Sequence, residues 1–237
     1  MTALRLEGRV LAPERMDHEA VAPEDLARAL RDLERLTAWG LAHRPVLDWL
    51  GRIAKGRETL SVLDVGSGGG DALRRIARWA AGAGLAVELE GVDLNPTARV
   101  VAQAATDPVL PIRFRTADVF DLEPGERWDV IVSSHFAHHL SDADLVRFLR
   151  WMEGAARLGW FVNDLHRHWL PYRALQAAGA ALPLHRFVVS DGPISVRRAF
   201  VRSDWERAVA AAGIERDRVE IRWWAPFRWG VGVRPGA

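Results

Sequence analysis

An apolar run, Val62-Leu63-Asp64-Val65, empties into Gly66-Ser67-Gly68-Gly69-Gly70, and a helical pattern resumes at Ala72. This passage from strand through glycine turn to helix constrains the chain more than any other feature. Glycines let the backbone turn sharply and pass close to a ligand at the N-terminus of the helix that follows. A dinucleotide loop of the form G-x-G-x-x-G is a poor match, because Asp71 stands where its last glycine belongs. A nicotinamide-dependent oxidoreductase is therefore disfavoured.

From residue 60 onward strand, loop and helix alternate, which implies right-handed crossovers and a parallel sheet. Strands are expected at 60–65, 87–92, 112–116, 128–133 and 160–163, with a helix at 72–80. Asn95 is placed to cap a helix that has Pro96 at its first position. Ser141 and Asp144 have capping-box spacing ahead of the stripe Leu145, Phe148, Leu149, Met152. Residues 166–182 can be helical, and Ser190-Asp191-Gly192-Pro193 reads as a turn. Ser203 and Glu206 repeat the capping-box spacing before a helix that stops at Gly213. Strands at 218–223 and 228–233, joined by a short connection, must be antiparallel. Before all of these, Leu26, Leu30, Leu33 and Leu36, then Val46, Leu47, Leu50 and Ile53, predict two helices broken between Gly40 and Pro45. The expected fold is α/β: a Rossmann-like sheet of five parallel strands plus a C-terminal antiparallel hairpin, with a helical N-terminal cap.

A length of 237 residues suits one sizeable α/β domain with a modest appendage. Its 32 basic and 31 acidic residues are well mixed, which argues against nucleic acid, a partner that needs a concentrated basic face. Cysteine is absent, so disulfides, thiolate zinc sites and a cysteine nucleophile are excluded. That fits a cytoplasmic setting. The first residues lack the apolar core of a signal peptide, and no stretch approaches the roughly 20 apolar residues of a membrane span, so a soluble protein is expected. The eleven tryptophans are read as core and pocket-wall aromatics, a few of them facing an aromatic-friendly pocket.

Two aspartates follow strands on the same edge as the glycine turn. Asp93 ends the second strand in Gly91-Val92-Asp93-Leu94-Asn95, where a carboxylate can take both hydroxyls of a ribose. Asp118 follows the third strand in Thr116-Ala117-Asp118-Val119, where it could accept from an adenine amino group. Either one alone is commonly a cap or turn residue. Three such features on consecutive strand ends surround the sheet's switch point, where open α/β sheets bind ligands.

With these residues in place, the chain resembles the class I S-adenosylmethionine-dependent methyltransferases, whose first motif is similar to Leu63-Asp64-Val65-Gly66-Ser67-Gly68-Gly69-Gly70. The resemblance implies S-adenosyl-L-methionine as cofactor and a methyltransferase domain over 60–237. It makes 1–59 a cap or lid and 166–200 a variable insertion on the acceptor side. It implies that Gly66, Ser67, Gly68 and Gly70 hold the methionine and ribose portion, Asp93 the ribose with Leu94 beside it, and Asp118 and Val119 the adenine. Asp64 would orient the loop through its amides and meet the ligand's amino group, and Ser134 would complete the cofactor contacts. The segments Asp129–Leu140 and Val162-Asn163-Asp164-Leu165 resemble those of ubiquinone-type small-molecule methyltransferases. Pro13-Glu14-Arg15-Met16-Asp17 and Gly192–Phe200 resemble bacterial methyltransferases encoded beside polyketide synthases. The acceptor implied is a small phenolic or polyketide-like molecule, methylated on a hydroxyl. C-methylation of a quinone-like ring and a non-catalytic adenosylmethionine-binding module are the alternatives. A homodimer is compatible with the sequence and not fixed by it.

A hydroxyl acceptor benefits from a base. His135, His138 and His139 lie just past the fourth strand, on the ligand edge, and His138 and His135 are the candidate catalytic bases. His139 can pack or bond backbone at the start of the next helix, and His166 and His168 rank below these. No metal site is expected, since no neighbouring carboxylate completes a ligand spacing with the three histidines. Arg197 and Arg198 read as a solvated pair, with binding of an acidic acceptor group as the alternative.

Overall fold

The computed structural model describes residues 6–18, 21–122 and 127–233. A short helix α1 (Arg15–His18) leads to α2 (Pro23–Trp39) and α3 (Arg44–Ile53), which break at Gly40 as the apolar spacing predicts. β1 (Thr59–Val65), α4 (Asp71–Ala83), β2 (Ala86–Asp93), α5 (Pro96–Ala105), β3 (Ile112–Thr116) and β4 (Trp128–Ser134) follow. Next come α6 (Asp142–Ala155), β5 (Ala156–Leu165), α7 (Trp169–Ala181), α8 (Arg186–Arg198), α9 (Arg202–Ala211), β6 (Val219–Trp224) and β7 (Arg228–Val233).

The strands form one sheet in the order β3-β2-β1-β4-β5-β7-β6. β1 to β5 run parallel, and β7 pairs antiparallel to both β5 and β6. Val65 lies level with Val92 on one side and Ser133 on the other, and Ser134 with Asn163, so four carboxyl ends share one edge. The chain reverses its winding between β1 and β4, which opens a crevice at that edge. Both sheet faces are covered. One core contains Phe148, Met152, Trp160 and Trp205, and the other is built from Trp49, Leu50, Leu73, Ile76 and Phe161. Trp49, Trp160 and Trp205 are fully buried, whereas Trp39 is 73% exposed.

Local signals act where they were read. The Asn95 side chain accepts from Thr97 N, and Ser141 Oγ accepts from Asp144 N. Two signals do not. Ser190–Pro193 lies inside α8 and is not a turn, because the carboxylate of Asp191 is engaged by Met16 N and Gly192 lets Leu175 of α7 pack close. Contact with two other segments overrides the local preference of those residues. Helix α9 opens two residues earlier than Ser203 suggests, with Val201 at its cap and the Asp204 carboxylate accepting from Val201 N.

Residues 6–10 are tied down. Val10 N bonds Arg197 O, Arg167 Nε donates to Leu6 O, and Arg9 pairs with Asp142. Helix α2 lies over the glycine turn, with Leu30 against Gly68 and Gly69. Among the described residues no helix is long and apolar enough to cross a membrane.

Candidate active site

The glycine turn is built as its sequence demands. Gly66, Gly68 and Gly70 have φ of +71°, +49° and +74°, a region that costs other residues roughly 1–2 kcal/mol. A Cβ on Gly70 would sit 2.6 Å from the Phe114 ring, and one on Gly66 would sit 2.7 Å from that of Phe136. The amides of Gly66 and Ser67 donate to Val92 O, and that of Gly68 donates to Asp93 Oδ2. Asp93 Oδ1 accepts from Asn95 N, so this carboxylate locks the glycine turn to the end of β2.

Asp64 is 2% exposed. It does not bond the loop amides assigned to it from the sequence, because those amides turn to Val92 and Asp93. Among the described residues no donor meets its Oδ1. Burial, reinforced by the negative charges of Asp71 and Asp93, pushes its carboxyl well above the usual range. A buried carboxylate oxygen left open beside a glycine cradle fits a ligand that brings a cationic or hydrogen-bonding group to this edge. Leu94 is 71% exposed beside Asp93. Asp118 accepts from Phe120 N as the cap of a short turn, and Val119 is buried in the core beneath it.

Arg74 and Asp71 latch α2 and the residue before α3 to this turn. Arg74 donates to Gly69 O and pairs with Glu34 of α2 at 2.9 Å, and His43 Nε2 stands 2.8 Å from Asp71. A surface groove of about 690 Å³ beside them, between α2, α3 and α4, reaches neither the glycine turn nor His138.

The histidines past β4 separate into distinct environments. His135 has φ +56°, and its Nε2 contacts the guanidinium of Arg228. Burial and that neighbouring cation push its pKa well below the ordinary histidine value. His138, only 3% exposed, donates Nδ1–H to Asp164 Oδ1 at 2.7 Å and its backbone N–H to Asp164 Oδ2 at 2.9 Å. Desolvation works against ionising Asp164, yet the positive field and hydrogen bond of His138 prevail and hold that carboxyl at about 2. The other face of the ring meets the amino-terminal segment, with His138 Nε2 3.7 Å from Glu14 Oε1. His139 stacks at 4.4 Å on His138 and points Nε2 toward Glu14 Oε2 at 3.9 Å. Ser134 Oγ accepts from Asn163 Nδ2 at 3.5 Å.

Glu14 and Arg198 are the site residues that sequence reasoning did not place. Glu14 is 3% exposed and accepts from Ser195 Oγ at 2.9 Å. Arg198 is 6% exposed and not part of a solvated pair. Its guanidinium donates to the carbonyls of His138, His139 and Ala12. The signal for Glu14 was its place in the Pro13–Asp17 segment, and nothing in the spacing linked it to the histidines. His166 and His168 lie apart from them, stacked on Phe227, and burial lowers the pKa of His166 to about 4.

Residues 62–159 match the family described as methyltransferase domain. A ubiquinone biosynthesis O-methyltransferase of Methylobacterium nodulans is 32% identical over 114 residues, covering 46% of this chain and 43% of that protein. One from a Chelativorans species is 30% identical over 178 residues, covering 72% and 65%. The chain thus spans less than two thirds of the length of either relative. Among solved structures, human N-acetylserotonin methyltransferase in complex with SAM superposes with a TM-score of 0.63 at 14% identity, covering 91% of this chain and 57% of that one. A plantazolicin methyltransferase in complex with SAH superposes at 0.62 and 13% identity, covering 90% and 95%. The fold is the Rossmann-like α/β fold of these methyltransferase structures.

Proposed function

We propose that this protein transfers a methyl group from S-adenosylmethionine to a hydroxyl of a phenolic or polyketide-like small molecule. The observation that carries the reading is the Asp164–His138 pair on the same sheet edge as the glycine turn. The cofactor supplies a sulfonium methyl, already a good electrophile, so the protein's work is to align the acceptor, exclude water and remove a proton.

The open Oδ1 of Asp64 is placed for the cofactor's amino group, and Asp93, which fixes Gly68, for the ribose hydroxyls. Leu94 lies beside the ribose end, and Asp118 with the Val119 amide forms the adenine end. Ser134, at the tip of β4, faces the same crevice edge. Asp164 fixes the His138 tautomer with the proton on Nδ1, which leaves the Nε2 lone pair to take the acceptor's proton. His135 is less suited to this task, because Arg228 occupies its Nε2 and disfavours its protonated form.

The balanced charge supports a small-molecule partner over nucleic acid, and the lack of cysteine is compatible with the cytoplasm. A thermal-shift comparison tests the cofactor assignment. Adenosylhomocysteine should raise the melting temperature and NAD should not, since a ligand stabilises only the fold that binds it. The reverse result overturns the reading.

A further inference from the structure

Two imidazoles and a carboxylate converge behind the turn that follows β4. One donor atom from each of Glu14, His138 and His139 lies within 4.8 Å of the other two. The spacing argument against a metal assumed a carboxylate close in sequence. The fold supplies one from the far end of the chain. We propose that Glu14, His138 and His139 form a binding site for a divalent transition-metal ion of the zinc class.

The donor set suits such an ion. Two neutral imidazoles and one carboxylate are familiar ligands of zinc and of open-site first-row metals. With bonds of about 2.0–2.1 Å, tetrahedral donors stand about 3.4 Å apart. His138 Nε2 lies 3.7 Å from Glu14 Oε1 and His139 Nε2 lies 3.9 Å from the other oxygen, Oε2, and with one oxygen as donor the three atoms stay within 4.8 Å of one another. Small side-chain rotations close the difference.

The surroundings are those of a supported ligand set. A metal-binding histidine commonly donates its other ring N–H to a carboxylate, which fixes the tautomer and raises ligand basicity. Asp164 stands in that relation to His138 at 2.7 Å, and Ser195 Oγ orients the Glu14 carboxylate. Arg198 gathers the backbone of both ligand-bearing segments, and its Nε lies 3.8 Å from Glu14 Oε1. Its positive charge thus lies beside the buried Glu14 carboxylate. Arg9, which also reaches His138 O, is paired with Asp142. The His139 side chain is a quarter exposed and provides the entry path.

Three protein donors leave one position open, as in catalytic zinc sites and unlike closed structural ones. An acceptor hydroxyl bound there would be acidified by direct coordination and would give its proton to solvent water at the exposed His139 edge in place of His138 Nε2. Only that consequence rests on the proposed methyl transfer. Binding itself requires neither acceptor nor cofactor, so the two readings fail separately.

Calorimetric titration of chelator-stripped protein with zinc chloride tests the site. The expected result is one ion per chain, with affinity reduced more than about tenfold in both Glu14→Gln and His139→Asn, and about tenfold to a hundredfold in Asp164→Asn. A stoichiometry and affinity unchanged by Glu14→Gln and His139→Asn, or no binding by the wild-type protein, overturns the proposal. Should a variant fail to fold, anomalous diffraction from a cobalt-soaked crystal of the unaltered protein decides the matter. A peak between Glu14 and the two imidazoles supports the site, and a peak elsewhere or none refutes it.

Discussion

Asp164 receives two hydrogen bonds from His138, one from Nδ1 at 2.7 Å and one from the backbone amide at 2.9 Å. The carboxylate therefore sets both the ring's tautomer and the position of the residue that carries it. A base aligned in this way contributes about a hundredfold or more to the rate of proton transfer. His138→Ala should lower turnover by about that factor, measured as radiolabelled methyl transfer to a panel of phenols. Asp164→Asn should lower it too, because an amide can hold the ring in the wrong tautomer. Affinity for adenosylhomocysteine should barely move in either variant. His135→Ala, at a ring already engaged by Arg228, should cost turnover far less. Equal losses at His135 and His138 would refute the assignment.

The cofactor side makes a separate prediction. Gly70→Ala would drive a methyl to 2.6 Å from the Phe114 ring at a φ of +74°, so the turn must open. The variant should stay folded and lose stabilisation by adenosylhomocysteine. Asp93→Ala removes the acceptor of the Gly68 and Asn95 amides and, on the proposed reading, the ribose contact. Calorimetry should show cofactor binding weaker by about 2–3 kcal/mol, the scale of a charge-assisted hydrogen bond. Unchanged affinity in a folded Asp93→Ala protein would remove Asp93 from the cofactor site.

Much of the architecture was legible because it rests on local signals. Apolar runs marked every strand. The Asn95-Pro96 and Ser141 caps marked helix starts, and the three glycines marked the sharp turn after β1. The misreadings fall where distant segments meet. Ser190–Pro193 has turn composition, and only contact with Met16 and Leu175 explains why it stays helical. Arg198 reads as a surface cation because the carbonyls that bury it belong to Ala12, His138 and His139. Glu14 reaches the histidines only through a segment held by Arg167, Arg197 and Arg198, and no periodicity encodes that path. Asp93 and Asp118 show a different limit. Each could be read as cap or ligand, and in the fold each also bonds backbone amides.

The last prediction concerns Asp64, whose burial sets stability against binding. Its carboxyl titrates well above the ordinary range because desolvation, then Asp71 and Asp93, disfavour the charged form. In the unfolded chain the same group ionises near pH ~3.9. Below that pH both states carry the proton and Asp64 costs nothing. As pH rises from there toward the raised folded value, the unfolded state loses its proton first, so stability falls with rising pH. Asp64→Asn removes this penalty. The melting temperature of the variant should match the wild type near pH 4 and exceed it at pH 7. A cationic amino group brought by the cofactor would favour the ionised carboxylate, so the variant should also bind adenosylhomocysteine more weakly. A variant no more stable than the wild type at pH 7 would show that Asp64 is solvated or paired there. Greater stability together with undiminished binding would leave the burial penalty standing and remove Asp64 from the cofactor contacts.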